Sequence, residues 1–187
     1  MIRLAVFASG RGTNFENILE SRLPGIEIVL LVTDSICNAL EIARTHDVPS
    51  KTFLRKNYAS KEEMEQDMVT EIEKFHIDFI VLAGYMRLLS PPFVNRYPKR
   101  IINIHPSLLP LYKGKEAIRQ AFEAGKKLYG VSVHYVNEGM DEGEVIAQVK
   151  ISYDGEDLQE LEQLVHQAEY ALYPKVIAQV CNRGGRL

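Results

Sequence analysis

The stretch Ile102-Asn103-Ile104-His105-Pro106-Ser107-Leu108-Leu109-Pro110 sets an amide and an imidazole two residues apart between apolar neighbours. Side chains two apart in a strand share a face, so Asn103 and His105 point one way while Ile102 and Ile104 fill the core. Val131-Ser132-Val133-His134-Tyr135-Val136 alternates in the same manner, with Ser132 and His134 on one face and Val131, Val133 and Tyr135 on the other. The glycine-flanked loop 138–144 adds carboxylates, and Asp141 within it can reach His105 across a cleft. A carboxylate there favours the protonated ring and raises its pKa, the arrangement of a general acid–base pair. His105, Asn103 and Asp141 together therefore read as catalytic. Pro106 and Pro110 stiffen the segment after the strand, and either could be cis.

A second polar segment, Ala8-Ser9-Gly10-Arg11-Gly12-Thr13-Asn14, follows an apolar run and opens a helical one. Unpaired N–H groups and the dipole at such a helix start favour an anion, so the loop reads as a phosphate cradle. The rival reading is a dinucleotide fingerprint, GxGxxG, with Asp34 as the ribose-binding acid. Phe15 occupies the third glycine position, where its ring crowds the helix–strand approach, and the Walker A lysine is absent; a monophosphate fits better. A plain tight turn explains the two glycines but neither Thr13 nor Asn14. Metal chemistry finds no support, since there is no HExxH, no paired i and i+4 ligands, and no cysteine pairing between Cys37 and Cys181.

The elements that must position these groups follow from apolar periodicity. Strands are expected at 2–8, 26–33, 79–83 and 100–104, with helices at 14–23, 39–46 and 60–76. This βαβα order implies a parallel sheet covered on both faces, with Asn103 and His105 emerging at the carboxyl edge where ligands bind. Strands 130–136 and 145–151 are joined by a loop too short for a crossover, so they are expected to be antiparallel. A last helix is expected over 158–181, bent or interrupted at Pro174, with 182–187 as a frayed tail. His46 and His76 read as solvated-face residues. A length of 187 residues fits one domain, 46% apolar content excludes disorder, and a net charge of −3 argues against nucleic acid as partner. No segment has the length of a membrane span or the form of a signal peptide, so a soluble, cytoplasmic chain is expected.

Four motifs in order are similar to those of the phosphoribosylglycinamide (GAR) formyltransferases: the Ser9–Asn14 loop, the run from Leu82 to Pro91, the run from Ile102 to Pro110, and Ser132-Val133-His134 through Asp141. The resemblance implies a single-domain, Rossmann-like formyltransferase fold over 1–187, with its N-terminal half binding GAR and its C-terminal half binding folate. It implies that Gly12, Thr13 and Asn14 bind the phosphoribosyl end of GAR and that Glu169 contacts its ribose. It implies that Met86, Arg87, Leu88, Leu89, Val94, Val136, Asn103 and Asp141 hold the co-substrate 10-formyltetrahydrofolate, with Lys61 near its tail. The chemistry it implies is attack of the amine on the formyl carbon, with Asn103 and protonated His105 donating to the oxyanion, His105 as proton donor and Asp141 keeping it charged. No metal is needed. Two residues depart from the family pattern: Lys61 stands where arginine is frequent, and Glu142 where glycine is frequent after the catalytic aspartate.

Rival functions carry their own signatures. A tRNA formyltransferase would need an additional domain and a basic face. A formyltetrahydrofolate hydrolase tends to have a second histidine where Pro106 stands. A non-catalytic nucleotide- or folate-binding module would not need Asn103, His105 and Asp141 intact. The expected partners are small molecules, with the chain a monomer or weak homodimer.

Overall fold

Strand β1 (Ile2–Ala8) is apolar because both of its faces are covered: Leu4, Val6 and Ala8 enter one core while Ala5 and Phe7 enter another, all with no exposed surface. It is followed by α1 (Thr13–Glu20), β2 (Ile26–Thr33), α2 (Asn38–Thr45), β3 (Ser50–Thr52), α3 (Lys61–Lys74), β4 (Phe79–Leu82) and α4 (Pro91–Arg96). Then come β5 (Ile101–His105), α5 (Ala117–Glu123), β6 (Leu128–Tyr135), β7 (Val145–Ser152) and α6 (Leu158–Gly184). The computed structural model describes residues 1–184.

All seven strands form one sheet in the order β3-β2-β1-β4-β5-β6-β7. Pairing is parallel from β3 through β5 and antiparallel for β5 with β6 and for β6 with β7. The chain runs outward from β1 to one side, then returns to add β4 on the other. The crevice above β1 and β4 is therefore the topological switch point of the sheet. One face packs Phe15, Ile18, Ile42, Val165 and Tyr173 from α1, α2 and α6, and the other packs Met64, Met68, Ile72 and Phe93 from α3 and α4. Tyr173 is fully buried beneath the crevice, and its hydroxyl donates to the carbonyls of Leu82 and Ile102 at 2.8 and 3.1 Å, bracing β4 against β5.

The expected strands and helices are present with ends shifted by a few residues. Four short elements were not anticipated, one of them a single 3-10 turn at Arg55–Asn57. The edge strand β3 has three residues, α4 six and α5 seven, each too short to show a period. Helix α6 runs unbroken through Pro174 and over 182–184, where a frayed tail was expected; residues 185–187 lie outside the described residues. Proline has no N–H, which leaves the carbonyl of Tyr170 without its helical donor, and the side-chain amide of Asn17 on α1 supplies one at 3.0 Å. Of the two prolines considered, it is Pro110 that follows a cis bond.

Candidate active site

The antiparallel register explains one end of the crevice. Asn103 lies opposite His134 and His105 opposite Ser132, so these four polar residues share one face of the sheet. Buried Ser132 holds the loop after β5, donating to the carbonyl of Ser107 at 2.6 Å and accepting from the Leu109 N–H at 3.0 Å. That loop returns the Tyr112 carbonyl to His105, whose Nε2 donates to it at 2.8 Å. Nδ1 of the same ring faces Asp141 Oδ2 at 3.4 Å, and the ring is buried. Asp141 projects from the β6–β7 loop in the left-handed conformation, φ 52°, and its Oδ2 accepts the Gly114 N–H at 2.8 Å.

His134 completes the cluster. Its Nδ1 faces the Tyr135 carbonyl at 2.8 Å and so carries a proton. Its Nε2 lies between Asn103 Nδ2 at 3.2 Å and Asp141 Oδ1 at 3.5 Å, accepting from the amide when the ring is neutral and donating to the carboxylate when it is charged. Burial alone would push the Asp141 carboxyl up. The hydrogen bond with His134, the Gly114 N–H and the charges of His105 and His134 outweigh burial and hold it below its ordinary value, so Asp141 is a carboxylate at neutral pH. Glu142, the extra acid beside it, pairs with Lys113 at 2.9 Å.

At the other end, Gly12 caps the start of α1 with φ 78°, and no side chain closes that helix terminus. A Cβ on Gly12 would come within 2.9 Å of both Cα and Cβ of Ala39. Glycine is therefore required twice, for the left-handed turn and for the close approach to α2. Asn14 Nδ2 points at the buried Glu169 Oε2, 3.5 Å away, and Asn14 Oδ1 has no partner in the protein. His166, one turn before Glu169, donates through Nδ1 to that carboxylate oxygen at 2.8 Å. This bond raises the His166 pKa against partial burial and the charge of Arg11, with Glu162 adding to the rise.

Both ends line one cleft of about 610 Å³. Its side wall is the loop after β4, where Met86, Arg87, Leu88 and Leu89 line the cleft, and Val136 lines it too. Met86 is 68% exposed and Leu88 48%, apolar side chains open to a ligand. Gly12, Thr13, Asn14, Glu169, Asn103, His105 and Asp141 line the same cleft. Lys61 and Val94 do not: Lys61 Nζ sits 3.7 Å from the buried Glu65, and Val94 is 4% exposed in the core behind the wall. Sequence reasoning left His134 and His166 without a role. His134 was visible as an inward residue of β6, but its partners appear only with the strand register. His166 had one local signal, an acid three residues on along a helix.

The open start of α1 and the buried Asn103, His105, His134 and Asp141 cluster thus share one cleft at the switch point of an α/β sheet. The formyl transferase family matches residues 2–177, and the chain belongs to that family. It is 42% identical to the phosphoribosylglycinamide formyltransferase of Bacillus subtilis over 100% of this chain and 98% of that one. It is 37% identical to the Haemophilus influenzae protein of the same name, over 95% and 86% of the two chains. Among solved structures, glycinamide ribonucleotide transformylase 1 from Geobacillus kaustophilus superimposes with a TM-score of 0.93 at 46% identity, covering 97% of this chain and 99% of that one.

Proposed function

We propose that this chain transfers the formyl group of 10-formyltetrahydrofolate to the amino group of N1-(5-phospho-D-ribosyl)glycinamide, releasing tetrahydrofolate, as a step of de novo purine synthesis. The observation that carries the reading is the cluster Asn103, His134, Asp141 and His105, each polar atom within 3.5 Å of the next, in one cleft with the open start of α1. The names of the relatives above point to the same substrate.

The ribonucleotide phosphate sits on the main chain of Gly12, Thr13 and Asn14, where free N–H groups and the helix dipole meet an anion. Glu169, held by Asn14 and His166, accepts from the ribose hydroxyls. The exposed apolar side chains of Met86 and Leu88 suit a flat heteroaromatic ring, with Val136 in the same cleft. When bound, the formyl folate supplies an activated one-carbon carbonyl. Asn103 is fixed by His134, so that its remaining N–H aims at the formyl oxygen and stabilises charge developing there, typically worth a few kcal/mol, roughly 3. His105 commits Nε2–H to Tyr112, which leaves Nδ1 to deliver a proton to the leaving nitrogen. Asp141 holds that proton on Nδ1 and takes up the one the amine loses. We infer that Glu169 from the C-terminal half joins the N-terminal loop at GAR, that the wall at Met86 to Leu89 from the N-terminal half joins the C-terminal residues at the folate, and that the enzyme works in the cytoplasm on free small molecules, as a monomer or weak homodimer.

The test is a spectrophotometric assay of deformylation of a 10-formyl folate analogue, with and without the ribonucleotide. Turnover that depends on the ribonucleotide is expected. Turnover without it would make the protein a hydrolase, and none from a folded protein would reduce it to a binding module.

A further inference from the structure

Asp34 directly follows β2, nearly buried at 8% exposure, and the chemistry above gives it no role. It does not line the cleft, yet its Oδ2 lies 2.7 Å from Nε of Arg87, which does. Its Oδ1 is buried without a protein partner, as is the neighbouring Tyr85 hydroxyl. Burial, and next the charge of Asp34, push the Tyr85 phenol well up. The loop that carries Arg87 leaves β4 at Gly84, φ 76°, and is pinned near its start: Gly84 O accepts from Ser9 N at 3.2 Å, and Met86 N donates to Ser9 Oγ at 2.8 Å. Ser35, beside Asp34, donates to the Ser9 carbonyl at 2.9 Å. The end of β2 thus grips both the phosphate loop, through Ser9, and the apolar wall, through Arg87. Beyond Met86 the wall has few holds of its own until Leu89 enters the core.

We propose that Asp34 is a positioning residue: paired with Arg87, it holds the Met86–Leu89 wall in the place where it meets the folate ring, from the same strand end that holds the phosphate loop. The inference rests on the folate reading of that wall. Without the carboxylate, Arg87 loses its counter-charge and the wall samples other positions, so the folate-competent one is populated for less of the time and apparent affinity falls by that fraction. The reacting groups stand on β5, β6 and the β6–β7 loop and do not depend on it.

Asp34→Asn is expected to raise the KM and Kd for the folate roughly five- to tenfold, with kcat and the KM for the ribonucleotide within about twofold. Asp34→Glu, which keeps the charge, should recover part of the loss. In an Arg87→Gln background, Asp34→Asn should add nothing, because its effect passes through Arg87. Should Asp34→Asn fail to fold, Asp34→Glu alone and within Arg87→Gln gives the same comparison. An unchanged folate KM in folded Asp34→Asn overturns the proposal, as does an equal loss in kcat and both KM values, or an undiminished effect without Arg87. A wild type that neither binds nor turns over the folate overturns the functional reading as well. A wild type that does both while Asp34→Asn behaves like it overturns this proposal alone.

Discussion

On the parallel side of the sheet, β1 and β4 end in loops that line the cleft: the open start of α1 at Gly12, and the apolar wall carrying Met86 and Leu88 beyond the turn at Gly84. On the antiparallel side, β5 and β6 present side chains, set opposite one another by register as Asn103 with His134 and His105 with Ser132. Parallel strands leave a sheet in one direction, so what they share at an edge is the start of each following loop, and backbone N–H groups suit a phosphate of fixed charge. Antiparallel neighbours face each other residue by residue, which allows a proton donor, its acceptor and an orienting amide to be held within hydrogen-bonding reach. The proposed division between binding and chemistry in this cleft thus follows the change of strand direction between β4 and β6.

That contrast can be broken from either side. His105→Ala removes the proton donor from the antiparallel side and should lower kcat roughly a hundred- to ten-thousandfold while KM for the ribonucleotide stays within a few-fold; steady-state kinetics decides. Gly12→Ala strikes the parallel side instead. A Cβ there meets Ala39 in a left-handed backbone, so about 2–3 kcal/mol of stability should go, together with ribonucleotide affinity, measured by denaturant unfolding and calorimetry. His134→Ala sharpens the contrast: it frees Asn103 without touching the phosphate end, so kcat should drop about tenfold with ribonucleotide KM unmoved. A loss confined to KM would return His134 to a structural role.

The smallest effects are in pH. The folded Asp141 carboxyl is held below its ordinary 3.8, so its contribution to stability is complete above that value and is lost as pH falls from there through the folded pKa. Asp141→Asn should flatten the acid limb of a melting-temperature profile. His166 is raised above 6.5, so its contribution is present below that pH and is lost as pH rises through the folded value. His166→Gln should remove this alkaline loss, a slight change because 39% of the side chain is exposed.

Much of this was legible in the chain. Asn103 and His105 follow from the two-residue period of a strand, and the cradle from a glycine loop between an apolar run and a helix start. The short antiparallel connection was readable from its length. The partners of His134 were not, because register joins residues about thirty apart and no local pattern encodes it. Helix α4 left a signal that was passed over: Ser90 caps it and Pro91 opens it. Lys61 carries a local signal of its own, a spacing of four from Glu65 on one helix, which matches the ion pair observed.

The carbonyl left unpaired by Pro174 has a geometric consequence. Asn17 can reach Tyr170 in only one sliding and rotational setting of α1 against α6, so a gap in one helix's ladder acts as a notch into which the other is keyed. Asn14 stands one turn before Asn17, and Glu169 directly precedes Tyr170. The notch therefore also fixes the meeting of Asn14 with Glu169, whose side chains come within 3.5 Å across the same pair of helices.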